Sequence, residues 1–337
     1  MTIRLSGKLI RRWLPILVVI AAGVLAITHF GQLKQFGEIL RNARPLMLAL
    51  AALLQLSTYV SIAVCWKLIL RADGCAQPLP RLIRLAVAKL FTDQAVPTAG
   101  VSGDVLMVDQ LIAFGVPKGP AASTLLLFVL GYFASFGLAA LAVLALLWFD
   151  RHASSGVTAA ISAFVALTIA IPGIALLLAR KGTDSKLLTR FKSVRHLMEL
   201  LGEAPKETLT SKRLIAISIA LNGLVIVADA ATLWVSFRAF NVAAPASSAL
   251  VALVMSQIAI TLAPVPMGLG SFEAASIGTL RMLGIPFEAA VTATFVLRFF
   301  TLWLPLVPGL WITRKMMKKR TEHEETEQAP QTATAKG

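Results

Sequence analysis

The sequence predicts an all-α, polytopic helical membrane protein with about six spanning helices and two re-entrant helical hairpins in inverted repeats. This fold class is predicted by three observations: the composition, the long uncharged segments and an internal repeat. Of the 337 residues, 57% are hydrophobic and 15% are charged, whereas a soluble domain has roughly 45–50% apolar residues. A water-soluble domain is therefore excluded, and the bilayer is the main solvent of the chain.

Six segments carry enough consecutive apolar residues to cross a bilayer, which takes roughly 18 or more. They are 13–30, 46–70, 120–149, 156–179, 213–240 and 288–313. Two further apolar regions, 83–114 and 252–283, are broken near their middle by Pro and Gly. Each leaves two pieces that are too short to cross, so each is interpreted as a re-entrant helical hairpin.

The distribution of charge predicts the orientation in the membrane. The formal net charge is +15, and the Lys and Arg residues form short runs beside the apolar segments. This pattern favours anionic phospholipids as partners and does not favour nucleic acid. If both hairpins return to the side they entered, the main basic runs share one side, so we expect cytoplasmic N and C termini in the cell inner (plasma) membrane.

The chain is expected to form a single transmembrane domain over residues 1–320. The apolar run at 13–30 is too long for the core of a secretory signal, so we interpret it as an uncleaved first helix. Residues 321–337 are polar and rich in Glu, Thr and Ala. They are expected to be a disordered cytoplasmic tail, because they cannot bury enough apolar surface to fold.

Sliding the chain against itself by 169 residues reveals a repeat, in which seven of the 26 positions from 96 to 121 are identical to their counterparts. The offset aligns Val96-Pro97 with Val265-Pro266, Ser102 with Ser271, Asp104 with Glu273, and Gly115 with Gly284. The repeats cover about 44–150 and 213–318 and face opposite compartments in the predicted topology. Inverted repeats with interrupted helices are typical of transporters that alternate access, although single Pro and Gly positions also mark ordinary kinks and turns.

Each broken region offers a tight turn followed by a helix start. The predicted turn residues are Pro97, Gly100, Gly103, Pro266, Gly268 and Gly270. Ser102 and Ser271 can accept bonds from free backbone N–H groups, while Asp104 and Glu273 suit the positive end of the helix dipole. Besides capping, these helix ends could bind an anionic lipid headgroup, or the acids could bind a cationic one.

Two charges lie well inside predicted spans, away from their ends, where an ionised side chain costs about 2.5–3.5 kcal/mol on insertion scales. Asp229 is near the middle of 213–240, and Arg298 lies in the last span. Arg298 is the expected counter-charge of Asp229, either as a static ion pair or as part of a substrate site. Arg281 is a weaker candidate, because its long side chain can reach an interface.

The segment Val265-Pro-Met-Gly-Leu-Gly-Ser-Phe-Glu273, followed by Gly284-Ile-Pro, Arg298, Pro305 and Gly309, resembles the C-terminal signature of the lysylphosphatidylglycerol synthase transmembrane region, the flippase-like UPF0104 family. Pro97 to Asp104 and Gly115 resemble its first-half motif, and the likeness spans about residues 10–315. The resemblance implies movement of lipids between leaflets or support of envelope-lipid assembly. The chain ends soon after the last span, so we expect neither the synthases' soluble domain nor lysyl transfer.

The leading hypothesis is therefore a lipid flippase or translocase, not an enzyme, that moves a polar or charged-headgroup lipid between leaflets by alternating access. An intramembrane lipid-modifying enzyme is an alternative, with Asp104, Glu273 and Arg298 as acid, base and charge stabiliser. A non-catalytic partner of envelope-lipid biosynthesis proteins is another. No phosphate-binding loop motif and no metal-ligand spacing is visible in the sequence, so no cofactor or metal is expected.

Overall fold

The computed structural model describes residues 43–95, 101–149, most of 159–170, 205–262, 268–306 and 308–314. Throughout these ranges the secondary structure is helical, which confirms the predicted all-α class. The helices are α1 Pro45–Ala72, α2 Leu79–Ala95, α3 Val101–Ala113, α4 Lys118–Phe149, α5 Lys206–Thr210, α6 Lys212–Ala239, α7 Ala246–Leu262, α8 Ser271–Met282 and α9 Phe287–Arg298, followed by a π-helical turn at Phe299–Trp303. The expected span at 13–30, most of the one at 156–179 and the predicted tail lie outside the described residues.

Four described helices are long and apolar enough to cross a membrane. They are Pro45–Ala72, Lys118–Trp148, Lys212–Ala239 and Phe287–Arg314, the last of which continues α9 through the π-helical turn. They coincide with the spans predicted at 46–70, 120–149, 213–240 and 288–313. The sequence therefore located these four elements correctly.

The two broken regions each contain a pair of short helices. Helix α2 packs against α3, and α7 packs against α8. These helices have 17, 13, 17 and 12 residues, and a rise of about 1.5 Å per residue makes each shorter than the roughly 30 Å hydrocarbon core. Each region thus consists, in its described residues, of two short helices that pack against each other.

The helical units α1–α4 and α6–α9 repeat the same packing order. In each unit the first helix contacts the second and the fourth, the second contacts the third, and the third contacts the fourth. An offset of 169 residues carries every helix start of the first unit to within two residues of its counterpart. The turns before α4 and α9 both contain a left-handed glycine, with φ of 85° at Gly115 and 83° at Gly284. The sequence repeat is therefore also a repeat of helices.

The centre of the molecule is built by close helix packing. Helix α6 packs against α1, α4, α7 and α9. The Ser218 hydroxyl donates a 2.7 Å hydrogen bond to the Leu127 carbonyl, and a Cβ at Gly131 would lie 2.1 Å from the Ser218 Oγ. Small residues allow this approach of helix backbones, which membrane interfaces favour. The packing fixes α4 and α6, the helices that carry Tyr132 and Asp229.

Candidate functional site

A cluster of three charged side chains joins the two helices of the first hairpin region. The Lys89 Nζ of α2 lies 2.7 Å from Asp93 Oδ2 and 2.9 Å from Asp104 Oδ1 of α3. The side chains of Lys89, Asp93 and Asp104 are only 12%, 17% and 21% exposed. Lys89 also lies 5.5 Å from the centre of the Phe128 ring, where a cation is attracted by the ring electrons. We call Lys89, Asp93 and Asp104 the triad.

Gly103 brings the Asp93 carboxylate onto the start of α3. The Gly103 N–H donates a 2.8 Å bond to Asp93 Oδ1, and a Cβ at residue 103 would lie 2.2 Å from the same oxygen. The carboxylate therefore meets the positive end of the helix dipole. Gly103 was predicted to lie in the turn between the two helices, but it lies inside the first turn of helix α3. There the lack of a side chain lets the Asp93 carboxylate approach the backbone.

A second cluster lies at the start of α8. The Arg298 Nε donates a 2.6 Å bond to Glu273 Oε1, and the backbone N–H of Gly270 donates a 2.7 Å bond to Glu273 Oε2. The Arg298 and Glu273 side chains are 7% and 15% exposed, and the Arg298 guanidinium lies 4.9 Å from the centre of the Phe272 ring. The carboxylate is thus held by both a helix start and a buried cation, which we call the Glu273–Arg298 pair.

The two clusters use equivalent acids but different cations. Asp104 and Glu273 are related by the 169-residue offset, and both lie in the first turn of their helices. The cation of the first cluster comes from α2, whereas the cation of the second comes from the last helix. The triad contains two acids and one Lys, so its formal charge is negative, while the Glu273–Arg298 pair is neutral.

Tyr132 of α4 makes a hydrogen bond between the two helical units. Its hydroxyl accepts a 3.1 Å hydrogen bond from Gln257 Nε2 of α7. The charges of Lys89, Asp93, Asp104 and Asp229 also exert an electrostatic influence on this hydroxyl. The hydroxyl contact therefore joins α4 of the first unit to α7 of the second.

A second contact between the units occurs at the position equivalent to Tyr132. Thr301 is 169 residues further along the chain and lies in the π-helical turn. Its carbonyl accepts a 3.2 Å bond from Gln94 Nε2 of α2. A Cβ at Gly309 would lie 2.5 Å from the Phe91 Cβ, so α2 and the last helix are tightly packed. Each hairpin region thus contacts the last helix of the opposite unit.

Asp229 has a neutral partner in place of the expected arginine. The amide of Gln55 on α1 donates bonds of 2.8 Å to Asp229 Oδ1 and 3.1 Å to Thr232 Oγ1. The predicted pairing of Asp229 with Arg298 is wrong, because Arg298 faces α8 and pairs with Glu273. The Asp229 contact therefore joins α6 to α1.

Other predicted site residues have different positions from those expected. Gly270 is the residue before α8, and the Ser271 hydroxyl donates to the Gly268 carbonyl, so the expected capping role of Ser271 is wrong. The Ser102 hydroxyl donates to the Thr92 carbonyl across the hairpin. Arg281 is exposed and lies over the Phe287 ring, away from both clusters. The predicted turn residues Pro97, Gly100 and Pro266 lie outside the described residues.

Sequence reasoning missed Lys89, Asp93, Tyr132 and Gln257. The sequence contained a signal for the first two. Lys89 and Asp93 are four residues apart in a largely apolar segment, so they lie on one face of a helix. Tyr132 and Gln257 are polar residues in otherwise apolar helices. Their relation depends on the contact between α4 and α7, which no local pattern encodes.

Comparisons with known proteins agree with this architecture. The family described as lysylphosphatidylglycerol synthase TM region matches residues 12–309, which include both clusters. A UPF0104 membrane protein of Methanocaldococcus jannaschii is 22% identical over 332 residues, which cover 90% of this chain and 96% of that protein. With four described helices able to span a bilayer and a family match over most of its length, the chain is a multi-pass membrane protein that belongs to the lysylphosphatidylglycerol synthase TM region family.

Proposed function

We propose that this protein is a lipid translocase, which moves a polar or charged-headgroup lipid between the leaflets of the plasma membrane by alternating access. One observation carries the proposal: two buried charged clusters occupy equivalent helix starts of a duplicated unit, and Tyr132 of the first unit is hydrogen-bonded to Gln257 of the second. Transporters with repeated units and interrupted helices bind their substrates at such junctions. The membrane lipid itself is the proposed substrate.

The proposed topology makes the two units inverted. The hairpin regions 83–114 and 252–283 enter and leave on the same side, and a span at 156–179 reverses the second unit relative to the first. Apart from Lys34, Arg41 and Arg44 before the span at 46–70, the basic runs that flank the spans then lie in the cytoplasm together with both termini, where they attract anionic phospholipids. In this arrangement the starts of α3 and α8 approach the bilayer centre from opposite sides.

The chemistry of the clusters suits a headgroup that carries charge. Glu273 can bind a cationic group, while Arg298 can bind a phosphate with its planar set of N–H donors. A zwitterionic headgroup that separates an existing ion pair can pair with both of its members, so no buried charge is left without a counter-charge and the cost of its passage is reduced. The acyl chains can stay in the bilayer while the headgroup crosses.

An intramembrane lipid-modifying enzyme is the alternative that uses the same acids, and a non-catalytic partner in an envelope-lipid assembly complex is another. A translocase returns each lipid chemically unchanged, whereas an enzyme produces a lipid of new mass. Mass spectrometry of lipids incubated with the reconstituted protein separates these two functions. A scaffold would retain its cellular role when both clusters are neutralised.

The test is lipid movement in liposomes of phosphatidylethanolamine and phosphatidylglycerol that contain purified protein. Trace acyl-labelled lipids with different headgroups are followed by dithionite quenching, and Glu288→Gln, which alters an exposed acid, serves as the control. We expect faster movement than in empty liposomes for at least one headgroup class. Rates equal to those of empty liposomes for every class contradict the proposal.

Variants of the second cluster test the role of its charges. Arg298→Gln leaves Glu273 buried without its cation, so we expect loss of movement together with some loss of stability. The double variant Arg298→Gln/Glu273→Gln is neutral again, and we expect it to recover stability but not lipid movement. Recovery of both would show that the pair is only structural.

A further inference from the structure

The two helical units differ in how completely their acids are neutralised. In the second unit, Glu273 is paired with Arg298. In the first, a single Lys89 lies between Asp93 and Asp104, within 2.9 Å of each carboxylate. The triad therefore carries one more negative than positive charge, at a place where its side chains are mostly buried.

Other charges around the triad do not cancel this excess. Helix α3 contributes Asp104, α4 contributes the Tyr132 hydroxyl, and α6 contributes Asp229, whose field reaches the same hydroxyl. Within the described residues, α1 and the last helix contribute no ion pair to Lys89, Asp93 or Asp104. Among the described residues, Lys89 is the only cation that forms an ion pair with Asp93 or Asp104, so no second ion pair neutralises the excess charge.

An excess negative charge in such surroundings favours uptake of a cation, and the geometry favours a proton over a metal ion. The Lys89 ammonium already occupies the space between the two carboxylates and repels another cation there. Among the described residues, no group of three acidic, His or Cys side chains could hold a metal ion. A proton needs only one carboxylate oxygen, and the Asp104 Oδ1 is buried without a hydrogen bond of good geometry, although the Lys89 ammonium lies 2.9 Å away.

We propose that the triad binds one proton in each transport cycle and couples lipid movement to the proton gradient. This inference rests on the proposed translocase function and supplies its source of energy. Proton binding forms one O–H bond on Asp93 or Asp104, and the formal charge of the triad changes from negative to neutral. Lys89 stays protonated and pairs with the remaining carboxylate.

The triad spans both helices of its hairpin, so the proton has a structural effect. While both acids are ionised, Lys89 holds α2 to α3 through Asp104. A proton on Asp104 weakens that contact and leaves the pair formed by Lys89 and Asp93 within α2. The hairpin then loses an electrostatic link between its helices.

The first experiment measures how a trace lipid distributes between leaflets under an imposed pH difference. Liposomes of phosphatidylethanolamine and phosphatidylglycerol contain the full-length protein and an acyl-labelled lipid whose movement has been established at equal pH. With one proton per lipid, each unit of pH difference shifts the equilibrium leaflet ratio about tenfold. A sodium gradient of equal size is the comparison, and we expect no shift from it.

Asp93→Asn and Asp104→Asn each make the triad neutral with little change of shape. Asn at residue 93 retains an oxygen that can accept the Gly103 N–H, so the start of α3 is preserved. We expect both variants to lose the tenfold shift and give a leaflet ratio near one at every pH difference. Glu288→Gln, the exposed control, is expected to keep the shift.

Infrared difference spectra between acidic and neutral pH provide a readout that does not depend on lipid movement. We expect a carbonyl band of a protonated carboxylic acid in the wild type, and its loss in the Asp93→Asn/Asp104→Asn double variant. Lipid movement that ignores the pH difference, or a band that survives in the double variant, overturns this inference and leaves the translocase proposal intact. If no lipid moves but the band behaves as expected, the translocase proposal fails while proton binding stands.

Discussion

The contact between Asp93 and Gly103 can be tested by adding a single methyl group. In Gly103→Ala, the new Cβ would lie 2.2 Å from Asp93 Oδ1, so the carboxylate must leave its position. The variant then loses a hydrogen bond to a charged acceptor, which is worth about 1.5–3 kcal/mol. Replacing Gly by Ala in a helix returns at most about 1 kcal/mol. We therefore expect Gly103→Ala to lower the free energy of unfolding by about 1–2 kcal/mol.

Gly278→Ala is the matched control. Gly278 lies within α8, and a Cβ there would meet nothing within 4 Å. The same chemical change should then stabilise the protein by about 0.5–1 kcal/mol. The assay is denaturant or thermal unfolding of the purified protein in detergent, with Asp93→Ala added to each glycine variant.

The double variants isolate the proposed contact. Once Asp93→Ala has removed the carboxylate, Gly103→Ala should no longer destabilise the protein, because contacting residues give non-additive effects. The Gly278→Ala effect should be the same with or without Asp93. If Gly103→Ala stabilises the protein as much as Gly278→Ala does, the carboxylate does not lie against the start of α3, and the reasoning is refuted.

Three further changes probe the helices around the polar centre. Gly131→Val adds atoms where α4 and α6 already touch, and we expect unfolding to become easier by about 1–3 kcal/mol in chemical denaturation. Gln55→Leu removes the amide that donates to Asp229; a loss of about 1–3 kcal/mol is expected from the unsatisfied acceptor, and an unchanged melting temperature would contradict it. Gln257→Leu removes the bond to the Tyr132 hydroxyl and should slow lipid movement severalfold in liposomes; a wild-type rate would show that this contact plays no part in transport.

Much of the helical framework could be predicted because its signals are local. Uninterrupted apolar runs located the four described spans, and paired glycines at 115 and 284 marked equivalent turns. The acids Asp104 and Glu273 were also placed correctly in the first turns of their helices. These features depend on a few neighbouring residues and on the thickness of the bilayer.

The partners of the charged residues could not be predicted, since they depend on contacts between distant helices. Arg298 and Asp229 both lie in apolar helices, and sequence alone offered no reason to separate them. In the fold, Arg298 forms an ion pair with Glu273, and Gln55 donates a hydrogen bond to Asp229. Asp93 was missed for a related reason, because its importance comes from Gly103, ten residues away across the hairpin turn.

The two glutamine contacts have a consequence for the origin of the chain. Gln94 reaches Thr301, and Gln257 reaches Tyr132, so each half of the molecule donates to the other half's last helix. A primitive polypeptide with only one half would have left its donor and its acceptor unmatched. Under the proposed topology, a second copy inserted upside down would complete both contacts, as the second half does within this chain.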